Sequence, residues 1–503
     1  MRVWKTIVRG LIVGVVSLAL LYAVVGNLVL STGVVRGLTN VAPDELTVDY
    51  HRAWTAWPGR VHVEDLTVRF QDANVQFYLQ LDEARVDLAL WSLARRKFHA
   101  TRVRATGASW RMVLKTDDPV ADAARLEAYP VIPGFARPPV RTAVVTPPPD
   151  PAALWTVQVD DVDATVREVW VMEFAWQGTG RVQGAFELQP LRHLWVRPAL
   201  LALEPGTLSV GVTQVSTDFS MRADVDVAPY DIETHPALQV FRPLSASVQL
   251  QARLDDLSVA QRYLPQVVAA GRGRFDADLR LIAGKLGPAT TFLLQLDSLQ
   301  ARHEEFIVDG VVTVRAALAP GTSKPTFTGE AGGMVHLELE GLPVNVLLNQ
   351  VELDLVLSTQ DLVDGVGLES ASAHVIAARV DDARALRAAA ARRVPLFLPA
   401  QLGDGPLQFS GTAYLTPAQT LVQLTDARLG SARLRGVALT DDEVWRAACA
   451  GHVGGLAFGA RFESGALQVL PFVGPQWLGE EFARMKIDPH LAEPTPLAAF
   501  NLR

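Results

Sequence analysis

Apolar and polar residues alternate with a period of two through most of the chain. In one typical stretch the charged residues of 274–280 alternate with the apolar residues Phe275, Ala277, Leu279 and Leu281. Because successive side chains of a strand point to opposite faces, this pattern predicts a strand with one apolar and one polar face. The pattern recurs at residues 219–227, 248–254, 312–318, 335–339, 351–357 and 407–415. We therefore predict a mainly β fold of antiparallel sheet with one dry face.

Three stretches change the phase of this alternation partway along. In GRVHVEDLTVRF, residues 59–70, the apolar positions are Val61, Val63, Leu66, Val68 and Phe70. An extra residue near Glu64–Asp65, a β-bulge, would return both halves to one face. WTVQVDDVDATVREVWV (155–171) repeats this shape with its shift at Asp160–Asp161, and LVQLTDARLGSARLRGVAL (421–439) is a looser copy. These stretches indicate degenerate repeats of one strand-pair unit.

A long uncharged segment, Gly10–Val35, lies close to the N-terminus. As a helix that rises ~1.5 Å per residue, its apolar centre covers the ~30 Å hydrocarbon core of a bilayer. Arg2, Lys5 and Arg9 precede it, and no basic residue follows until Arg36. Positive residues stay on the cytoplasmic side, so a single-pass anchor is predicted with its N-terminus in the cytoplasm. A cleaved signal peptide is the alternative, but its apolar region would be unusually long and no A-x-A site follows.

Helical segments are few. Ala121–Tyr129 and Asp381–Arg393 are rich enough in alanine to predict helices, and Gln476–Met485 is a third candidate. Between Asp117 and Ala153 the chain is rich in proline, which is typical of a long loop or linker.

Composition excludes several classes of protein. A chain of 503 residues is too long to fold around one ordinary hydrophobic core, so two or more domains or an elongated repeat architecture are expected. The net charge of −8 comes from 46 basic and 54 acidic residues that are well mixed, which leaves no basic surface for nucleic acid. Cys449 is the only cysteine, so an internal disulfide and a cysteine-based metal cluster are excluded.

Motifs that carry chemistry are absent from the sequence. It contains no nucleophile elbow, phosphate-binding loop, HExxH or dinucleotide fingerprint, and its ten histidines are scattered. The acidic run at Asp160–Asp161 lacks the glycine turn of a calcium loop. Trp54 and Trp57 fit either the membrane interface or burial in the first β unit. We therefore predict that the protein is not an enzyme and has no catalytic residue, metal site or cofactor.

Three stretches give the chain a resemblance to a known family. The first is the anchor followed by GRVHVEDLTVRF, and the second is LDEARVDLALWSL (81–93) continued by HATRVRATGASWRMVL (99–114). The third is AAGRGRFDADLRLIAGKLGPATTFLLQLDSL (269–299). Together they resemble the AsmA-like family (AsmA/TamB type), which is related to the bridge-like lipid-transfer proteins. The resemblance is strongest over residues 1–115.

The resemblance implies a repetitive antiparallel β-sheet curled into an elongated groove with an apolar interior. The implied role is phospholipid transfer, or outer-membrane lipid homeostasis, by a protein anchored in a bacterial inner membrane with its body in the periplasm. The implied partners are phospholipid acyl chains, the inner membrane and outer-membrane or periplasmic proteins. The residues expected to contact lipid in the groove are Leu66, Val68, Phe70, Phe275, Leu279 and Leu281.

Five segments follow from these expectations. They are a cytoplasmic tip and transmembrane anchor (1–35), a first β unit (36–116), a Pro-rich linker or insert (117–153), the repetitive groove (154–475) and a C-terminal tail (476–503). Alternation alone also fits a closed β-sandwich, in which two sheets bury their apolar faces against each other. The alternative function is therefore an envelope-assembly scaffold with closed β-sandwich domains that bind protein partners.

Overall fold

The computed structural model describes residues 21–485, except for several gaps. The gaps are residues 41–43, 72–74, 117, 121, 142–153, 190–191, 232–238, 240, 263–267, 304–305, 321–324, 340–341, 360–367, 383, 385–404, 417–418, 442–443, 454–455, 464–465 and 475. The fold is mainly β, and strands make up 71% of the structure. The 23 strands form a large open sheet, and the helices are few and short. These features of the predicted fold class are confirmed.

Two compact units divide the chain, and each is described by itself. The first comprises Met1–Ala252 with Leu281–Gly284, and the second comprises Arg253–Arg280 with Lys285–Arg503.

The strands of the first unit are long and follow one another closely along the chain. Their bounds are β1 Leu46–Asp49, β2 Arg52–Trp57, β3 Arg60–Gln71, β4 Val75–Leu88, β5 Lys97–Leu114, β6 Thr156–Val171, β7 Phe174–Gln189, β8 His193–Val210, β9 Thr213–Asp231 and β10 Leu244–Leu254. β1 and β2 both pair with β3, and each strand from β3 to β8 pairs with the next.

The strands of the second unit continue this arrangement. They are β11 Val268–Ile282, β12 Lys285–Leu286, β13 Thr291–His303, β14 Phe306–Leu318, β15 Thr326–Leu339, β16 Leu342–Leu357, β17 Leu368–Val380, β18 Leu407–Leu415, β19 Gln419–Leu429, β20 Ala432–Asp441, β21 Val444–Val453, β22 Leu456–Glu463 and β23 Ala466–Pro471. β11 pairs with β13, and each strand from β13 to β22 then pairs antiparallel with the next. The stretches of period-two alternation named above lie in strands, but residues 421–439 are a hairpin of β19 and β20 and not one strand with a phase shift.

Helices connect or cover the strands. α1 occupies the described residues 21–31, and it is followed by α2 Val34–Thr39, α3 Leu90–Leu93, α4 Ala123–Leu126, the 3₁₀ helix η1 Ser258–Arg262 and α5 Trp477–Arg484. The predicted helix at Ala121–Tyr129 is therefore confirmed as the shorter α4, and the one at Gln476–Met485 as α5. Nearly all of the predicted helix Asp381–Arg393 lies outside the described residues.

The predicted anchor lies only partly within the described residues, which begin at Leu21. No helix in the described part of the chain has both the length and the apolar character needed to cross a membrane. The described end of Gly10–Val35 packs on β2. There the Asn27 side chain donates to the Thr55 carbonyl at 2.7 Å and accepts from the Thr55 amide at 2.8 Å.

The Pro-rich segment connects two neighbouring strands. β5 and β6 run parallel, whereas the other strand pairs named above are antiparallel. Antiparallel neighbours can be joined by a tight turn, but parallel neighbours need a crossover connection of a dozen residues or more. Residues 115–155 supply that connection, and the division between the compact units falls elsewhere, near Ala252.

In the first unit, neighbouring strands change the phase of their apolar–polar alternation at the same level. We call these positions the row of phase switches. In β3, Asp65 has a φ of 51°, and in β5 Gly107 has a φ of 67°. Further along the same row, the registers shift between Val166 and Glu168 in β6 and between Leu203 and Gly206 in β8. A switch in one strand alone would turn the rest of its apolar residues to the other face. Because neighbouring strands switch together, the face stays apolar. The phase switch expected near Glu64–Asp65 is present, but β3 and β4 keep one register across it, so the extra residue of the predicted bulge is not found there.

Side-chain contacts hold this row together. Arg167 donates to Asp82 Oδ1 at 2.6 Å, and the Gly107 amide donates to Thr165 Oγ1 at 3.1 Å. A Cβ on Gly107 would lie 1.8 Å from Asp82 Oδ2. Only glycine fits here, since its backbone is left-handed and its neighbour occupies the space of a side chain. A second shift in β6, between Val159 and Val162, confirms the bulge predicted at Asp160–Asp161.

Replacing Gly107 with alanine should lower the free energy of unfolding of the first unit by about 1–3 kcal/mol, from backbone strain together with the clash against Asp82. Urea unfolding followed by far-UV circular dichroism measures the change. The control is Gly37→Ala, because Gly37 has no atom within 4 Å of an added Cβ. Equal stability of the two variants would contradict this account of the row.

Candidate functional site

The registers gather the predicted lipid-contacting residues of β3 onto one face of the first unit. Leu66 lies opposite Leu81, Val68 opposite Leu79 and Phe70 opposite Phe77. We call the face that carries Leu66, Leu81 and Trp176 the apolar face of the first unit. Its central cluster contains only strand residues and extends from β3 to β9: Leu66, Leu79, Leu81, Ala84, Ala105, Ala108, Trp110, Ala164, Val166, Val169, Val171, Trp176, Val182, Leu201, Leu203, Leu208, Phe219 and Met221.

Trp176 is the most deeply buried large residue of this face, with 2% of its surface exposed. Its ring lies against the glycines of β7 and β8, so that a Cβ on Gly178 would meet Cζ2 at 2.8 Å and one on Gly206 would meet Nε1 at 2.7 Å. Glycine inside a strand is typical of such close approach. Sequence reasoning did not identify Trp176, although Gly178, Gly180 and Gly206 in a strand pattern were the available signal.

An apolar face also runs through the second unit. Phe275 lies opposite Leu294, and Ala277 lies opposite Phe292. We call the face that carries Phe275, Phe292 and Leu355 the apolar face of the second unit. Two clusters of strand residues lie on it: one contains Leu286, Phe292, Ala316, Leu318, Phe327, Leu355 and Leu357, and the other Val344, Val346, Leu348, Val375, Ala378, Val380, Leu407 and Phe409.

Each predicted contact residue is half-buried: Leu66, Val68, Phe70, Phe275, Leu279 and Leu281. The structure therefore places Leu66, Val68 and Phe70 together, and it places Phe275 and Leu279 on the apolar face of the second unit. Leu281 belongs to the first unit by its contacts. A half-buried apolar side chain touches its neighbours in the sheet and keeps part of its surface free for a further contact.

The Pro-rich connection covers the opposite, polar face of the first unit. Arg69 donates to the Pro133 carbonyl at 3.2 Å, and Arg111 donates to the Val131 carbonyl at 3.3 Å. Arg69 and Arg111 alternate with the apolar residues of β3 and β5, so both carbonyls lie on the polar side of the sheet. The cluster of Val113, Leu126, Tyr129 and Ile132 holds the connection there.

A buried ion pair supports this covered region. Arg111 lies 3.2 Å from a carboxylate oxygen of Glu168, to which Ser109 also donates a hydrogen bond. Arg125 of α4 reaches Glu173 at 3.2 Å. Buried carboxylates are retained when they are paired and hydrogen-bonded, and both of these glutamates meet that condition.

α5 likewise packs on the face opposite the apolar face of the second unit. Its Leu478 and Phe482 join Tyr414, Leu421, Val437 and Leu439 in one cluster. Tyr414 follows Ala413 in β18 and points to the opposite side from Phe409. At this end the opposite face is apolar too, and the chain covers it with its own helix.

A cleft of about 540 Å³ opens on the polar face of the first unit, among residues that include His62, Glu83, Arg104, Asp163 and Arg181. Arg181 donates two hydrogen bonds to Asp163, at 2.7 and 2.8 Å, and thereby holds the pKa of that carboxyl below its usual value. Arg104 does the same for Asp161 at 2.7 Å.

Trp54 stacks on His62 with ring centroids 4.0 Å apart, so it is part of the first unit, while Trp57 stays exposed. Burial lowers the pKa of His62, and the nearby Arg85 lowers it further. The cleft is thus lined by charges that mostly neutralise one another. Among the residues described, no group of His, Cys, Asp or Glu side chains is arranged to hold a metal ion.

Comparisons with known proteins found no matching family model, no matching curated protein and no matching solved structure.

Truncating Trp176 to alanine should lower the free energy of unfolding of the first unit by about 3–5 kcal/mol, as for other buried aromatic residues. Val68→Ala should cost less than about half of that, because its side chain is only half-buried. Urea unfolding followed by far-UV circular dichroism compares the two variants. Equal losses would show that the edge of the apolar face is packed as tightly as its centre.

Proposed function

We propose that this protein is a non-enzymatic, inner-membrane-anchored periplasmic protein whose apolar faces bind phospholipid acyl chains. The proposed role is phospholipid transfer or outer-membrane lipid homeostasis, as the resemblance to the AsmA-like family suggests. One observation carries the proposal. Among the described residues, the Pro-rich connection and α5 each lie on the side opposite the apolar face of their unit, and the clusters on the apolar faces contain only strand residues.

Free energy favours a guest on such a face. Apolar surface left in water costs roughly 25 cal/mol for every Å² that could be buried. In a closed sandwich a second sheet would cover the apolar face, but the described strands of each unit pair one after another in open sheet. The closed β-sandwich of the alternative is therefore not the arrangement observed. An acyl chain has the apolar character and the narrow, extended shape needed to lie along or across such strands.

Curling of the sheet into an elongated groove is part of the proposal, because a groove would surround a chain that a flat face contacts on one side only. The phase switches supply a means for curvature, since bulges bend strands and increase their twist. Catalytic residues, metals and cofactors have no part in the proposed function. Outer-membrane or periplasmic proteins are proposed as further partners that would receive or deliver lipid.

Photo-crosslinkers at Phe70 and Phe275 should capture phospholipid in cells, because both side chains are half-buried on an apolar face. Crosslinkers at Arg85 and Asp278, exposed residues of the polar side, are the matched controls and should not. Arg69 is unsuitable as a control, since it touches the Pro-rich connection. Mass spectrometry of the adducts identifies the partner. Capture of only this chain or of other proteins at Phe70 and Phe275 would contradict the proposal.

Changing Leu279 to aspartate should impair outer-membrane lipid homeostasis while the protein stays abundant, because a charge on the apolar face repels acyl chains. The readouts are detergent sensitivity of the cells and the protein level on immunoblots. Arg280→Asp is the control, since it introduces the same residue at the next position, where the side chain is exposed. Normal lipid homeostasis in the Leu279→Asp strain would count against transfer along this face.

A reporter that is active only in the cytoplasm should be silent when fused after Arg503, since the charges before Gly10 predict a periplasmic body. The same reporter fused before Met1 is the control and should be active. An active C-terminal fusion would refute the proposed location.

A further inference from the structure

Exposed tryptophans gather at one end of the first unit. Trp57 is 66% exposed, Trp91 is 91% exposed and Trp155 is 48% exposed. They are distant in sequence, at the β2–β3 turn, in α3 and just before β6. No other tryptophan with a described side chain is among the exposed large hydrophobic residues.

Strand pairing brings the three positions to the same end of the sheet. Trp57 pairs with Arg60 at the start of β3, and Arg60 pairs with Asp87 at the end of β4. α3 follows β4 directly, and the Thr156 amide at the start of β6 donates to the Arg96 carbonyl at 3.0 Å. We call Trp57, Trp91 and Trp155, with Leu90 and Leu93 of α3, the tryptophan rim.

The helix α1 reaches the same end. The Gly59 amide, two residues after Trp57, donates to the Tyr22 hydroxyl at 3.1 Å. One side of α1 packs on β2, while Leu21, Val24, Val25 and Leu28 on the other side are exposed. An apolar helix surface and an aromatic rim therefore lie side by side at the end from which the predicted anchor would leave.

A basic segment lies beside the rim, and its Lys97 is paired with Glu187 at 3.3 Å. Leu88–Thr101 contains Arg95, Arg96 and Lys97 and no acidic residue, and Arg95 and Arg96 are exposed. The acidic residue just before it, Asp87, is paired with Arg60 at 2.8 Å. Exposed tryptophan beside arginine is the combination that suits a membrane interface, where the indole sits among the headgroups and the cation meets anionic lipid.

We infer that the tryptophan rim inserts this end of the sheet into the surface of an anionic phospholipid bilayer. The inference goes beyond acyl-chain binding, since the rim would contact headgroups and the upper acyl region whether or not the apolar face carries a guest. It gives the sheet a defined orientation, in which one end of the strands of the first unit lies at the bilayer and the strands extend away from it. A lipid that leaves the bilayer at the rim would meet the apolar face at its edge.

Nitroxide labels on the full chain test this directly. In a Cys449→Ala background, single cysteines replace Trp57, Trp91 or Trp155, and the protein is reconstituted into nanodiscs of phosphatidylethanolamine and phosphatidylglycerol. Val212, fully exposed in the turn between β8 and β9 at the other end of the strands, is the control position. Power saturation then compares collision with oxygen, which dissolves in lipid, and with a nickel chelate, which stays in water.

Rim labels should collide more with oxygen than with nickel, and the label at 212 should show the reverse. The double variant Arg95→Glu, Arg96→Glu should move the label at 91 toward water, while Arg85→Glu on the polar face should not. Rim labels as accessible to nickel as the label at 212 would overturn the inference. So would labels shielded from both reagents and broadened by a neighbouring spin, because a second copy would then occupy the rim.

Capture of phospholipid at Phe70 and Phe275 is a separate readout, so the two proposals can fail independently. If Phe70 and Phe275 capture phospholipid while the rim labels are in water, acyl-chain binding is supported and insertion of the rim is refuted. If the rim labels are in lipid while neither position captures phospholipid, insertion is supported and acyl-chain binding is refuted.

Discussion

Every apolar face of this protein depends on one constraint, which is that neighbouring strands must change the phase of their alternation at the same level. A strand that switched alone would turn its remaining apolar side chains toward the polar side. In the first unit Asp65 and Gly107 lie in one such row, and in the second unit the registers shift between Arg272 and Gly273 and between Leu296 and Leu299 in turn. The row preserves a continuous surface across strands too long to alternate without interruption.

Covering elements follow from this arrangement. The parallel pair β5–β6 requires a crossover, and the crossover packs on the polar side, where Arg69 and Arg111 donate to its carbonyls. α5 packs opposite the apolar face of the second unit. Helices and loops usually cover the most apolar surface of a sheet. In the part of the chain that the structure describes, the clusters on that surface contain strand residues only, which is the reason to propose a guest from outside the chain.

An acyl-chain face and a tryptophan rim are complementary on physical grounds. The face offers dispersion contacts and burial to a hydrocarbon chain, while the rim offers indole and guanidinium groups to the headgroup region. The rim depends on residues that strand pairing brings together, because Trp57, Trp91 and Trp155 share no local motif. Its basic character comes from the exposed residues Arg95 and Arg96.

Local patterns in the sequence were sufficient for the strands, for the phase switch near Asp65, for the bulge near Asp160 and for α5, because period and phase are properties of a single segment. They also selected Leu66 and Phe275 as members of an apolar face, since side-chain direction follows from alternation. The tertiary structure alone decided which segments become neighbours. It made β5 and β6 parallel, placed Trp176 over glycines of two strands, and set the Pro-rich connection on the polar side. Such choices depend on contacts between residues far apart in the chain, which no local period encodes.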